Sequence, residues 1–195
     1  MKFFATAAIL VAAASSVAAA AHPGRPGRPT TTSTAPTSTP TPSVLCLTNS
    51  TAAYLTNGYG SLLTAYSNAT AKSILASDFT DTSDSINWLA GIPLGGYTFS
   101  SLAAFIAGQG TQPPIGFTIS EIMFSCNEVA FRWVATVGLK KWPVKGINMF
   151  TATNLNNSAA GWQIQNMYSE FNVGAWEIDI GRTCSPQGAN IAGSA

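Results

Sequence analysis

Hydrophobic positions along the chain change period once. Over residues 45–66, Leu47, Ala52, Leu55, Leu62, Leu63 and Tyr66 recur near helical spacing, interrupted by Asn57-Gly58-Tyr59-Gly60, which predicts one helix bent or broken at the glycines. Residues 69–77 read as a second, shorter helix. A third spans 100–109: Ser100 or Thr98 can cap it, Leu102, Ala103, Phe105 and Ile106 form its apolar face, and Pro113-Pro114 ends it. From Ile115 onward the period drops to two, predicting strands over 115–127, 128–138, 144–154 and 162–172 joined by short polar or Gly connections. Helices first and an antiparallel run afterwards specify an α+β fold, a sheet with one face covered by helices.

The strands carry more polar side chains than a plain core-versus-water alternation requires. Phe131, Trp133, Ala135 and Val137 fall on one face of the second strand, with Arg132, Val134 and Thr136 on the other. In the fourth, Gln163, Gln165, Met167, Ser169 and Phe171 oppose Ile164, Asn166, Tyr168, Glu170 and Asn172. A partly hydrated concavity would want that mixture. Arg132 and Glu170 lie mid-strand, where an unpaired buried charge is strongly unfavourable. Each must be solvated, paired across the intervening strand with help from Asn148, or turned into a wet pocket, where Arg132 with Tyr168 and Asn172 would orient a ligand. Of Trp88, Trp133, Trp162 and Trp176, one is expected to line a cavity, since an indole suits mixed surfaces.

The stretch 78–91 joins the helical part to the sheet and sets Asp78, Asp81 and Asp84 near Trp88. If 78–83 is extended, Asp81 and Ser83 share a face while Asp84 points elsewhere. Alternatively Asp81, Ser83 or Asp84 caps a helical turn over 86–89. A lone Asp81 on an apolar wall would have a raised pKa and act as a base. The three-residue spacing lacks the alternating oxygen ligands and central glycine of a calcium loop, so no metal is expected.

Composition narrows the function classes. Charged residues make up 9% of the chain and apolar ones 46%, against roughly a quarter charged in an ordinary soluble domain, so one substantial core is expected. The formal charge is +1, and Lys140-Lys141 is the one adjacent basic pair, which leaves no footprint for nucleic acid. Residues 1–20 have the layout of a cleaved secretory signal: a lysine, an apolar run, then small residues. They are too short for a membrane span, and no later segment is long enough. Residues 21–43 read as a Pro/Thr/Ser-rich disordered tether, O-glycosylated and extended, and carry the single histidine, His22. The product is therefore expected outside the cell or in its wall. Three cysteines in an exported chain allow at most one internal bridge. Cys46 opens the first helix and Cys126 precedes a strong strand, which favours that pair; Cys46 or Cys126 with Cys184 are the other two. Asn49, Asn68 and Asn156 head N-glycan acceptor patterns. Nucleophile elbow, Cys-x-x-Cys and phosphate-binding glycine loop are all absent, and no cofactor is expected.

The segments DFTDTSDSINWLAGIPLG (78–95), SLAAFIAGQG (101–110), VAFRWVAT (129–136), VKGIN (144–148) and WQIQNMYSEFNVGAW (162–176) resemble nuclear-transport-factor-2-like (SnoaL-like) domains, and more closely those of small secreted filamentous-fungal proteins. The resemblance covers a domain over 44–182, with a tail at 183–195. It implies a cone in which a strongly curved sheet wraps helices around an apolar pocket, a scaffold shared by isomerases, dehydratases, cyclases and non-catalytic binders. Steroid-isomerase-type members would place their general base about where Ser83 stands, with Asp81 and Asp84 beside it, and the pocket histidines of dehydratase members are absent. Dimerisation through the sheet face is also implied. The leading expectation is a binder of a small apolar or amphipathic molecule using Asp81, Trp88, Arg132, Asn148, Tyr168 and Glu170. The alternatives are a cofactor-independent isomerase, dehydratase or cyclase relying on Asp81 or Asp84, and a surface or host-interaction protein.

Overall fold

The computed structural model describes residues 45–184; the expected signal and tether, and all but the first two residues of the expected tail, lie outside them. Five helices and five strands follow in the order α1 (Asn49–Thr64), α2 (Asn68–Ile74), β1 (Leu75–Thr82), α3 (Asp84–Ala90), α4 (Leu102–Gln109), β2 (Gly116–Phe124), β3 (Glu128–Thr136), β4 (Val144–Thr153), β5 (Gln163–Phe171) and α5 (Val173–Asp179). The strands form one sheet in the order β1-β5-β4-β3-β2, antiparallel except for the parallel pair β1–β5.

Capping side chains set the helix starts. Thr48, Ser67, Ser83, Ser101 and Asn172 each accept a hydrogen bond from a backbone amide of the first turn of α1 to α5 respectively. The glycines of α1 do not break it. A Cβ at Gly58 would lie 3.1 Å from Ile74 and one at Gly60 3.3 Å from Phe117, so these positions let α2 and β2 press against an unbroken helix. A fifth strand, β1, takes over where the second helix was expected to continue, and α5 follows the sheet where no element was expected.

The inner face of the sheet carries Phe131, Trp133 and Ala135 from β3, Val144, Asn148 and Phe150 from β4, and Met167 and Ser169 from β5. Alternation on β5 is broken by one residue. Thr151 pairs with Asn166 but Ala152 with Ile164, and this bulge brings Ile164 to the buried side with Met167 instead of opposite it. A second bulge interrupts β2 between Ile119 and Glu121. Bulges of this kind increase local twist and bend a sheet, which lets this one close over the helices. The outer face exposes Met123, Ile147, Met149 and Tyr168.

A disulfide joins Cys46 to Cys126, and the Leu47 amide donates to the Cys126 carbonyl at 2.8 Å, tying the start of α1 to the β2–β3 turn. Cys184 is a free thiol. Asn49, Asn68 and Asn156 are all exposed. No helix among the described residues is long and apolar enough to cross a membrane.

The bridge closes a loop across 80 residues of sequence, so its loss should lower the unfolding free energy by roughly 2–4 kcal/mol. Urea unfolding with and without reductant, repeated on the Cys46→Ser/Cys126→Ser variant, measures this; coincident curves would contradict it.

Candidate functional site

A cavity of about 440 Å³ lies between the inner sheet face and the helices, within the range of roughly 300–1,000 Å³ typical of small-molecule sites. Its walls are aromatic. Phe117, Trp133 and Phe171 come from the sheet, Tyr59, Phe105 and Trp176 from the helices, and Phe99 from the loop before α4. Among the described residues, no lysine, arginine or histidine lines it.

Asp81, Asn148 and Ser169 reach it through the inward alternation of three strands, and Tyr59 of α1, Gln109 of α4 and Gln112 add further polar side chains. Phe79 and Asp81 occupy successive inward positions at the end of β1, with Ser83 buried just beyond it, and Asp81 is 1% exposed. The Asp81 backbone is fixed from the other side: its amide donates to the Phe99 carbonyl at 2.9 Å, and its carbonyl accepts from the amides of Thr98 and Phe99. On β4, Asn148 accepts from the Trp133 indole N–H at 2.6 Å and donates to Ser169 Oγ at 2.7 Å, a chain running across β3, β4 and β5. Gly146 makes room for it, because a Cβ there would collide with the Trp133 ring.

Neither carboxyl oxygen of Asp81 has a hydrogen-bond partner among the described residues. Burial raises its pKa from 3.8 to about 7. The nearby Tyr59 hydroxyl and the Thr82 amide pull it back without reaching hydrogen-bond geometry, and the negative charge of Glu170 pushes it further up. Tyr59 is itself shifted well upward, by burial first and then by the Asp81 charge. The site thus holds a carboxyl that can gain or lose a proton near neutrality in water-poor, aromatic surroundings.

Of the residues expected to bind ligand, Asp81 and Asn148 line the cavity, and four do not. Arg132 and Glu170 both sit on the outer face, flanking Ile147 of β4, whereas Asn148 points inward and cannot bridge them. Arg132 pairs with Glu121 at 3.2 Å on the surface. Glu170 accepts from the amides of Asp84 and Ser85 at 2.9 and 3.1 Å and from the Ser85 hydroxyl, supplementing the Ser83 cap at the start of α3. Tyr168 is exposed on the same outer face. Trp88 is 58% exposed, and its indole N–H reaches Glu177 at 3.3 Å.

Asp84, the other candidate base, is exposed and holds the α3–α4 loop by accepting from the Gly95 amide at 2.7 Å. Ser83, where the resemblance places the base, spends its hydroxyl oxygen on the Ile86 amide at 3.0 Å. Two indoles line the cavity, Trp133 and Trp176, while Trp162 is buried in the core. Among the described residues there is no cluster of three or more histidine, cysteine or acidic side chains able to hold a metal.

Several lining residues were missed by sequence reasoning. Tyr59 sits inside the Asn-Gly-Tyr-Gly segment read as a helix break, and Ile180 follows α5, which periodicity did not reveal although Trp176 within it was among the indoles considered. The alternation on β5 did carry the signal for Ser169, which lies two residues from the inward Met167.

The pattern of the NTF2-like domain family matches residues 45–183. No curated protein sequence matches the chain. Among solved structures, IdmH from Streptomyces antibioticus, described as a putative polyketide cyclase, is 14% identical with a TM-score of 0.51, over 66% of this chain and 97% of that one. A hypothetical protein with a ketosteroid isomerase-like fold from Catenulispora acidiphila, in complex with trimethylamine, is 12% identical with a TM-score of 0.51, over 68% of this chain and 97% of that one. At such identities the likeness is one of fold.

Two measurements check this description. The Asp81 pKa is raised on folding, so the stabilisation present below pH 3.8 is lost as the pH climbs through about 7. Urea unfolding across that window should show stability falling by a few kcal/mol, and Asp81→Asn should remove that contribution and be the more stable protein at neutral pH. A gap between the two proteins that does not change with pH would count against the burial described. Secondly, Glu170→Ala should cost about 1–2 kcal/mol through the lost contacts at the start of α3, while Arg132→Ala should stay within about 0.5 kcal/mol; the reverse order would return these residues to a shared role.

Proposed function

The chain belongs to the NTF2-like domain family, and from that premise we propose that it binds a small apolar or amphipathic molecule in the cavity, with Asp81 as the polar anchor. The observation that carries this reading is a buried carboxyl with two unpartnered oxygens on a residue that lines a 440 Å³ aromatic hollow. Desolvating such a group is unfavourable by several kcal/mol unless a partner or a proton compensates it, and no described residue is within hydrogen-bond geometry of either oxygen. A ligand donor at that point would. Asn148, locked between Trp133 and Ser169, and the Tyr59 ring complete the contact set.

A second reading is favoured by the same carboxyl. With a pKa of about 7, Asp81 is suited to take and return a proton, as a cofactor-independent isomerase or cyclase requires. Likeness of fold to a protein described as a putative polyketide cyclase agrees with this reading. The Cys46–Cys126 bridge and the signal layout of residues 1–20 support work outside the cytoplasm. The exposed row of Met123, Ile147, Met149 and Tyr168 supports pairing of two copies through the outer sheet face.

The test starts from native mass spectrometry of the protein mixed with apolar metabolite extracts, read alongside Trp fluorescence. Bound mass and an indole response should appear together. Ala90→Trp, which places an indole at an exposed position of the cavity wall, should abolish both in a folded protein. Retained binding in Ala90→Trp would move the site elsewhere. Turnover of a bound compound that Asp81→Asn eliminates would establish the second reading over the first.

A further inference from the structure

Resting on the cavity reading above, we infer that the ligand carries a cationic nitrogen, an ammonium group on a compact apolar body, which pairs with Asp81 against the aromatic wall. The charge pattern of the site supports this. Among the described residues, Asp81 and Tyr59 are its titratable lining groups, both acids, and no lysine, arginine or histidine lines the cavity. The elements packed around Asp81 add no cation. α1 contributes Tyr59, α4 contributes Phe105, β5 contributes Ser169 on the inner side and the charge of Glu170 from the outer side, and the Phe99 segment contributes backbone. An anionic ligand would meet repulsion from Asp81 with no lining cation among the described residues to offset it.

A neutral hydroxyl fits less well than an ammonium. It satisfies one of two unpartnered carboxyl oxygens with a neutral donor, whereas an ammonium makes charge-assisted bonds roughly twice as strong, in surroundings where water does not screen them. A proton on Asp81 relieves its charge but leaves the second oxygen without a donor, whereas one ammonium group can serve both. The rings supply the second half of the recognition. Phe99 and Phe105 stand edge to face at 5.3 Å, Phe105 contacts Tyr59, and Phe117 lies 4.9 Å from Trp133. A ring face attracts a cation within about 6 Å, so a lining rich in rings that also carries a carboxyl suits a cationic ligand.

Three probes of the same rigid cage and different charge test the inference: adamantylamine, adamantanol and adamantane carboxylate, titrated by calorimetry into the full-length protein near neutral pH. The ammonium should bind at least about tenfold more tightly than the alcohol, with the carboxylate weakest. Its affinity should fall as the pH is lowered from about 8 to about 6, because Asp81 takes up a proton while the ammonium keeps its own. Asp81→Asn should bring the ammonium down to the level of the alcohol. Alcohol binding equal to or tighter than ammonium binding would overturn the cationic class and leave cavity binding standing, as would an ammonium preference that survives Asp81→Asn. Failure of all three cages and of the metabolite extracts would overturn the cavity reading and this inference with it.

Discussion

A carboxyl group held where neither oxygen meets a donor is the constraint around which this molecule is arranged. Asp81 occupies an inward position at the end of an edge strand, and Phe99 and Thr98 grip its backbone so that the side chain cannot swing out to water. Folding therefore carries a standing electrostatic cost at this point, and that cost raises the proton affinity of the group. Surface carboxylates such as Asp84 and Glu170 do the opposite job: each accepts backbone amides and holds a loop or a helix start in place.

The space in front of Asp81 is kept open by parts that look unrelated in sequence. Gly146 leaves room for the Trp133 ring, Asn148 fixes that ring through its N–H, and Ser169 fixes Asn148. The wall is thus braced by hydrogen bonds rather than by more apolar side chains that would fill the hollow. Across the cavity, α3 contributes Ile86 and Leu89 from one face while its opposite side is held by Glu170 at the start, and Arg182 reaches the Leu89 carbonyl at 3.2 Å near its end. The helix that walls the cavity is therefore fastened at both ends by residues that never touch the interior.

What sequence could reveal followed the regularity of each element. The inward row of β3, from Phe131 through Trp133 to Ala135, was legible because nothing interrupts its alternation between Glu128 and Thr136. On β5 a single bulge moved Ile164 to the buried side, and a pattern of period two cannot announce where it slips. Arg132 and Glu170 were drawn into the site by their charge, but register places both on the outer face with Ile147 between them. Gly58 and Gly60 read as a helix break because their role is contact with Ile74 and Phe117, which local propensity does not contain. The short helix α5, seven residues long, offered too few turns to show a helical stripe. Asp81 stood out only as one of three carboxylates gathered at 78–84 in a weakly charged chain; its inward position at the end of β1 is what separates it from Asp78 and Asp84.

The most direct measurement of this account is the ionisation of Asp81 itself, read from the carboxyl stretch by infrared difference spectroscopy, with Asp81→Asn identifying the band. A midpoint at about 7 is the result that burial without a partner requires. A midpoint in the ordinary aspartate range, near ~4, would mean that the carboxylate is solvated or paired, and the site described here would not exist in that form.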